Sequence, residues 1–331
     1  MVRWLNQLLV FLLVLSVGAT EKKGVRQEEN LDGARHAYEV SEYAKAIQIL
    51  QTAAVNEPRN GEVQLLLAKS YLELQERDAA VKSAERAVSI DPQNSIYHEW
   101  LGRAYGEKAD HAGWLPAISL AKKTRKEFET AVQLDKKNFS ARQALIEFDC
   151  SAPGIVGGGE DKAQPHIKEL AEMDVAEGHY AAGNCRRQRK DFVTADAEFA
   201  KALESHPKSP ELIYDIGDYA VKHSQPETML AVAEAGEQAA PNDPRAKFYR
   251  AVALILRKEN PEEAEQMLRE YLTSAPVRTG FPHPTATHYW LGRLLENENK
   301  REDAEKEFEA ALKLDPKNKM AQEALKRLKK G

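Results

Sequence analysis

The sequence predicts an all-α solenoid of stacked helix-turn-helix units, and three observations carry that prediction. A small residue recurs at Ala34, Ala68, Gly102, Gly183, Gly217, Ala251 and Gly292, with four of the six intervals equal to 34 residues. Prolines recur beside it, at Pro58, Pro92, Pro207, Pro241, Pro276 and Pro316. No segment reads as a strand. A fixed period in this range marks supersecondary units that bury their apolar faces only by stacking on neighbours.

Within a unit, two antiparallel helices approach closely only where Gly or Ala leaves no bulk, while Leu, Tyr and Phe fill the space beside the crossing. The closing proline stops the second helix. The clearest copies are LLLAKSYLELQERDAAVKSAERAVSIDP, with Leu67-Ala68, Tyr71, Ala80, Ala84, Ala87 and Pro92, and WLGRLLENENKREDAEKEFEAALKLDP, with Leu291-Gly292, Ala304, Phe308, Ala311 and Pro316. This pattern resembles the tetratricopeptide repeat (TPR) family. The resemblance implies a TPR solenoid of about eight repeats in a right-handed superhelix, with a concave groove that takes protein partners. Units begin near Glu28, Glu62, Ile96, Ser140, Glu177, Glu211, Arg245 and Ala286, and residues 319–330 read as the polar capping helix. Residues 20–331 are accordingly expected to form one solenoid.

Two units are interrupted. In the third, about ten extra residues around AGWLPAISLAKK lengthen the helix hairpin. The fourth contains CSAPGIVGGGEDKAQPH, from Cys150 to His166, which resembles an insertion of uncharacterised exported bacterial TPR proteins and implies no activity. A further stretch, Val277 to His288, holds three helix breakers and is expected to be an exposed loop.

Apolar residues make up 42% of the chain and charged residues 30%, as expected of short amphipathic helices. The formal net charge is −5, and removing residues 1–19, whose only charge is Arg3, makes it −6. A weakly acidic chain lacks the basic face that nucleic-acid binding requires. The N-terminus has the parts of a secretory signal: Arg3, an apolar run from Leu8 to Leu15, and Val17-Gly18-Ala19 before Thr20. Cleavage after Ala19 is expected, which would make the protein exported, periplasmic or secreted. The apolar run is shorter than the roughly 20 residues that span a bilayer, so contact with a membrane is expected only if this segment stays uncleaved. An uncleaved segment would make the protein a membrane-anchored assembly factor.

Cys150 and Cys185 fall in the first helices of adjacent units. An oxidising compartment would allow a disulfide, but the helix register does not guarantee a Cα approach under about 7 Å, and two buried thiols are the expectation.

Catalytic patterns mostly fail, and the protein is expected to be no enzyme. Gly154 to Gly159 is followed by Glu160-Asp161 instead of Gly-Lys-Ser/Thr, so it reads as a flexible turn whose acids favour the next helix, not a phosphate loop. A small-ligand or catalytic protein using this insertion with His166 or His179 is the weaker alternative. His98-Glu99 opens like a zinc motif, but Gly102 stands where the second His is needed. The nine histidines are scattered and read as surface residues. Asn138-Phe139-Ser140 is a glycosylation triplet. No metal, cofactor or small-molecule substrate is implied.

In the family the residue three before each small marker faces the groove. Here that series is Leu31, Leu65, Glu99, Gln143, Tyr180, Tyr214, Phe248 and Tyr289. Its last four members form an aromatic ladder able to hold a partner's apolar side chains, or else to pack each ring on its own helices. One position past the marker stand Asn184, Asp218, Val252 and Arg293. The lysine and asparagine clamp of chaperone-tail receptors is missing, and Asp215 with Asp218 would repel an anionic tail. The expected function is therefore a non-enzymatic protein-interaction scaffold, binding a protein or peptide segment at Tyr180, Asn184, Tyr214, Asp218, Phe248, Tyr289 and Arg293.

Overall fold

The computed structural model describes residues 31–329. The proposed signal at 1–19, and the start of the first unit near Glu28, lie outside the described residues. Among the described residues every regular element is helical. The helices follow one another in chain order as successive pairs and a last single helix. They are α1 (described over 31–39) with α2 (Tyr43–Asn56), α3 (Gly61–Glu73) with α4 (Arg77–Ile90), α5 (Ser95–Asp110) with α6 (Trp114–Leu134), and α7 (Phe139–Ser151) with α8 (Glu160–Met173). Next come α9 (Val175–Gln188) with α10 (Phe192–Glu204), α11 (Pro210–His223) with α12 (Pro226–Ala239), α13 (Arg245–Arg257) with α14 (Pro261–Ser274), and α15 (Pro284–Asn297) with α16 (Arg301–Leu314). α17 (Lys319–Leu328) is the expected cap. From the second unit on, the first helices start within two residues of Glu62, Ile96, Ser140, Glu177, Glu211, Arg245 and Ala286.

Local chemistry explains the boundaries. Asn60, Asn94, Asp174, Ser209 and Asn318 accept hydrogen bonds from backbone N–H groups of the helices they precede. Pro210, Pro226, Pro261 and Pro284 occupy first-turn positions, where no N–H is needed. The turn inside each regular unit is made by a left-handed residue seven positions past the small marker: Ser41, Gln75, Lys190, Ser224, Lys258 and Asn299, with φ from 55° to 63°. The two interrupted units have none at that register. The fourth turns instead through a 3-10 turn at Gly154–Val156 and Gly157, at φ 102°. Glycine is obligatory beside it, because a Cβ at Gly158 would stand 2.0 Å from the Ala152 carbonyl oxygen.

The small markers sit where expected. A Cβ on Gly102, Gly183 or Gly292 would stand 2.5–2.6 Å from the ring of Phe128, Phe199 or Phe308 in the second helix of the same unit. Gly217 departs from this: its close neighbour is Tyr249 of the following unit's first helix. The third hairpin is lengthened, with α6 running for 21 residues.

The chain divides into two compact parts, one up to Leu145 with Pro153–Gly157 and the other made of Ile146–Ala152 with Gly158 onward. In the first part, Leu50, Val63 and Leu67 anchor one apolar cluster and Ala84, Leu101 and Tyr105 another. In the second, a continuous core runs from Ala195 to Leu328.

The cysteine expectation is overturned. Cys150 and Cys185 form a disulfide, at a Cα separation of 5.3 Å. The ends of two adjacent first helices approach more closely than register alone requires. The loop expected at Val277–His288 is shorter, spanning residues 275–283, because Pro284 starts α15 and His283 caps it.

Candidate functional site

The ladder residues lie on the first helices of the last four units, and each ring finds a partner inside the protein. Tyr180 packs on Phe199 at 6.2 Å between centroids, Phe248 on Tyr271 at 5.4 Å, and Tyr289 on Phe308 at 6.0 Å. Tyr214 stacks on Tyr249, with planes 11° apart. Tyr214 and Phe248 are only 2% exposed, and Tyr289 8%. Tyr214 and Phe248 are therefore core side chains and lend no free area to a partner. A first-helix aromatic facing a second-helix Phe or Tyr gains more by filling the hairpin than by standing in water.

Asn184 is likewise buried. Val252 is fully buried. What remains accessible is the half-buried Tyr180, the exposed Asp218 and the half-buried Arg293. The Tyr180 hydroxyl donates to Asp215 Oδ2 at 2.9 Å, and Arg187 Nη1 donates to the same oxygen at 3.4 Å. Burial, then the Asp215 charge, pushes the Tyr180 phenol well above its ordinary range. Tyr249 donates to Asp218 Oδ1 at 2.7 Å. Desolvation chiefly raises the Asp218 carboxyl, Asp215 adds to this, and the Tyr249 hydroxyl works against it. Arg293 donates to the Tyr289 hydroxyl at 3.1 Å.

Arg245 is expected only as the start of the seventh unit, not as a site residue. It is 5% exposed and lies between the Tyr214 ring at 4.1 Å and the Phe281 ring at 4.4 Å. It donates to Asp243 and, through Nη1, to the Gly280 carbonyl at 3.0 Å, so the 275–283 loop is tied down beside Tyr214. Burial works to discharge this guanidinium, and Asp243 more than offsets it.

The first compact part carries a second unexpected feature. Arg35, Lys69 and Arg103 each follow their small marker by one residue. Arg35 donates to Glu62, Arg103 donates to Glu99 at 3.0 Å, and Lys69 sits 4.4 Å over the Trp100 ring. Desolvation lowers the Lys69 pKa.

Three histidines are not scattered surface groups. His98, His179 and His288 each stand four residues before a marker glycine, and each bonds through Nδ1 to a glutamate of its unit's second helix. The partners are Glu127 at 2.6 Å, Glu198 at 2.7 Å and Glu307 at 2.7 Å. The zinc-like His98-Glu99 pair is thereby accounted for. Among the described residues no cluster of three or more His, Cys, Asp or Glu side chains could hold a metal ion. Glu160 pairs with Arg186 at 2.8 Å and Arg189 at 3.2 Å, which fixes the end of the Gly-rich turn and places negative charge there. Asn138 Nδ2 donates to Ser95 Oγ at 2.8 Å, so the nitrogen of the glycosylation triplet is engaged.

Tetratricopeptide repeat family models match residues 37–103, 214–278 and 285–318. The chain belongs to the tetratricopeptide repeat family. This TPR chain is similar to a solved TPR protein of Thermus thermophilus, at 20% identity over 56% of this chain and 94% of that one, with a TM-score of 0.47. A TPR protein from Parabacteroides merdae is 12% identical over 91% and 98% of the two chains, with a TM-score of 0.41. The C-terminal part of a TPR protein from Cytophaga hutchinsonii is 17% identical over 89% and 99%, with a TM-score of 0.39. No curated protein matches the chain in sequence. TPR folds generally mediate protein–protein interaction and are generally non-enzymatic.

Proposed function

We propose that this protein is an exported, non-enzymatic scaffold that holds a segment of a protein partner on the first-helix face of its later units. The observation that carries the reading is the division of labour on that face. Tyr214, Phe248 and Val252 form a rigid apolar base, while Tyr180, Asp218 and Arg293 keep polar ends accessible in positions held by Asp215, Tyr249 and Tyr289. A preorganised surface loses little side-chain entropy on binding. The partner is read by separate hydrogen bonds with mixed charge, not by one cluster of a single sign.

Export is supported by the Cys150–Cys185 disulfide, since such bonds persist in oxidising compartments. The signal-like residues 1–19 and the resemblance of the insertion to exported proteins agree with it. Affinity capture from the exported fraction, followed by binding measurements on the protein recovered, tests the proposal. Asp218→Arg and Arg293→Glu should each weaken binding at least roughly tenfold, whereas the second-helix control Lys313→Glu should not. Equal binding by all three variants rules the face out.

A further inference from the structure

The extra residues of the third unit build one projecting hairpin tip, where α5 ends at Asp110 and α6 begins at Trp114. The buried side chains of α6 begin only at Thr124, and Leu120 packs partly against the cluster of Ala104 and Tyr105. Before them, Trp114 is 74% exposed and Leu115 63%. An indole and an isobutyl group side by side in water are costly unless something covers them.

The charge beside them is equally biased. Residues 111–126 contain Lys122, Lys123, Arg125 and Lys126 and no Asp or Glu, in a chain of net charge −5. At helical spacing Leu115, Ile118, Lys122 and Lys126 share one outward side. Lys122, Lys123 and Lys126 are exposed, with Lys123 4.9 Å over the Tyr105 ring. Arg125 pairs with Glu129. The neighbouring acids are mostly engaged, Glu107 of α5 by Arg77 at 3.2 Å and His111 at 3.5 Å, and Asp78 of α4 by Lys108 at 2.7 Å. Asp110 is exposed, and the local balance stays positive.

We propose that this tip docks the protein on an anionic phospholipid surface, with Trp114 and Leu115 entering the headgroup region while Lys122, Lys123 and Lys126 meet the lipid phosphates. Trp is favoured at that interface because its ring is apolar and its N–H can still be hydrated. A protein pocket would reward the two apolar side chains but gain little from three exposed lysines with no acid among them. A negatively charged bilayer rewards both. Among the described residues no helix is long and apolar enough to cross a membrane, so the contact is peripheral. It depends neither on residues 1–19 nor on the partner face.

Sedimentation of the full chain with vesicles tests this, comparing phosphatidylglycerol mixed into phosphatidylcholine with phosphatidylcholine alone. The wild type should bind the mixed vesicles preferentially and lose binding as salt rises. Trp114→Ser with Leu115→Ser should lower the partition at least roughly tenfold, and Lys122→Gln with Lys126→Gln roughly fivefold per lysine. All four side chains are exposed, so urea midpoints should match the wild type. In parallel, brominated lipid should quench the wild type's fluorescence, and Trp114→Phe should bind but lose that quenching. Wild type left in the supernatant, equal binding to both lipids, or variants that partition like the wild type would each overturn the proposal. The last result also covers binding through residues 1–19, which all the chains share. Capture of a protein by the tip without binding to anionic vesicles would overturn it as well.

Discussion

Removing the Cys150–Cys185 bond should loosen the fourth and fifth units far more than the others. The two cysteines are 35 residues apart, and the closed loop contains the 3-10 turn, the Gly-rich segment and all of α8. Cross-linking a loop of that length removes roughly 13 cal/mol/K from the unfolded chain, or about 3.8 kcal/mol at 25 °C. That is on the order of several hundredfold in an opening equilibrium. Because repeats contact only their neighbours, the loss should fall mainly on α7, α8 and α9 rather than spread along the chain. Cys150→Ser with Cys185→Ser should reproduce the effect of a reductant. Amide hydrogen exchange is the assay, since it reports each helix separately. Exchange in α9 should accelerate on reduction while α15 and α16 keep their protection. Equal protection of α9 in both forms, or two titratable thiols in protein recovered from outside the cytoplasm, would refute the reasoning.

Three other predictions follow from packing and charge. Gly292→Leu drives a side chain into the Phe308 ring, where even a Cβ would stand 2.5 Å away, and should cost about 1–3 kcal/mol or more in urea unfolding; an unchanged midpoint would mean that the crossing is looser than described. Phe248→Ala empties a site between Tyr249 and Tyr271 and should destabilise by about 3–5 kcal/mol, with any partner affinity lost only in proportion to unfolding; a stable variant that fails to bind would restore Phe248 as an anchor. His98 is raised above its ordinary 6.5, chiefly by its hydrogen bond to Glu127. Its stabilisation is therefore complete below that pH and fades as pH climbs through the higher folded value. Wild-type urea midpoints should fall more than those of His98→Gln as pH rises through that window, and parallel curves would discount the pair.

The repeat is legible in the amino acids alone. A 34-residue step of small residues, with a proline closing six of the eight units, sets the helix pairs because close crossings tolerate no bulk and proline cannot continue a helix. The longer third hairpin and the Gly-rich turn are visible in the same way, and Glu160-Asp161 open α8 as expected. Further signals keep the same register: the histidines four before Gly102, Gly183 and Gly292, the cations one after Ala34, Ala68 and Gly102, and the left-handed residues seven after six of the markers. Which side of each first helix is free depends instead on the folded chain. Periodicity places Tyr214 and Phe248 at a groove position, but burial depends on what lies opposite. Over Tyr214 lie Tyr249 and Arg245 of the next unit's first helix, with Phe281 of the following loop on the far side of Arg245, and over Phe248 lies Tyr271 of its own unit's second helix. The disulfide has the same origin, since two helix ends in adjacent units approach to 5.3 Å through a turn whose path Gly157 and Gly158 set.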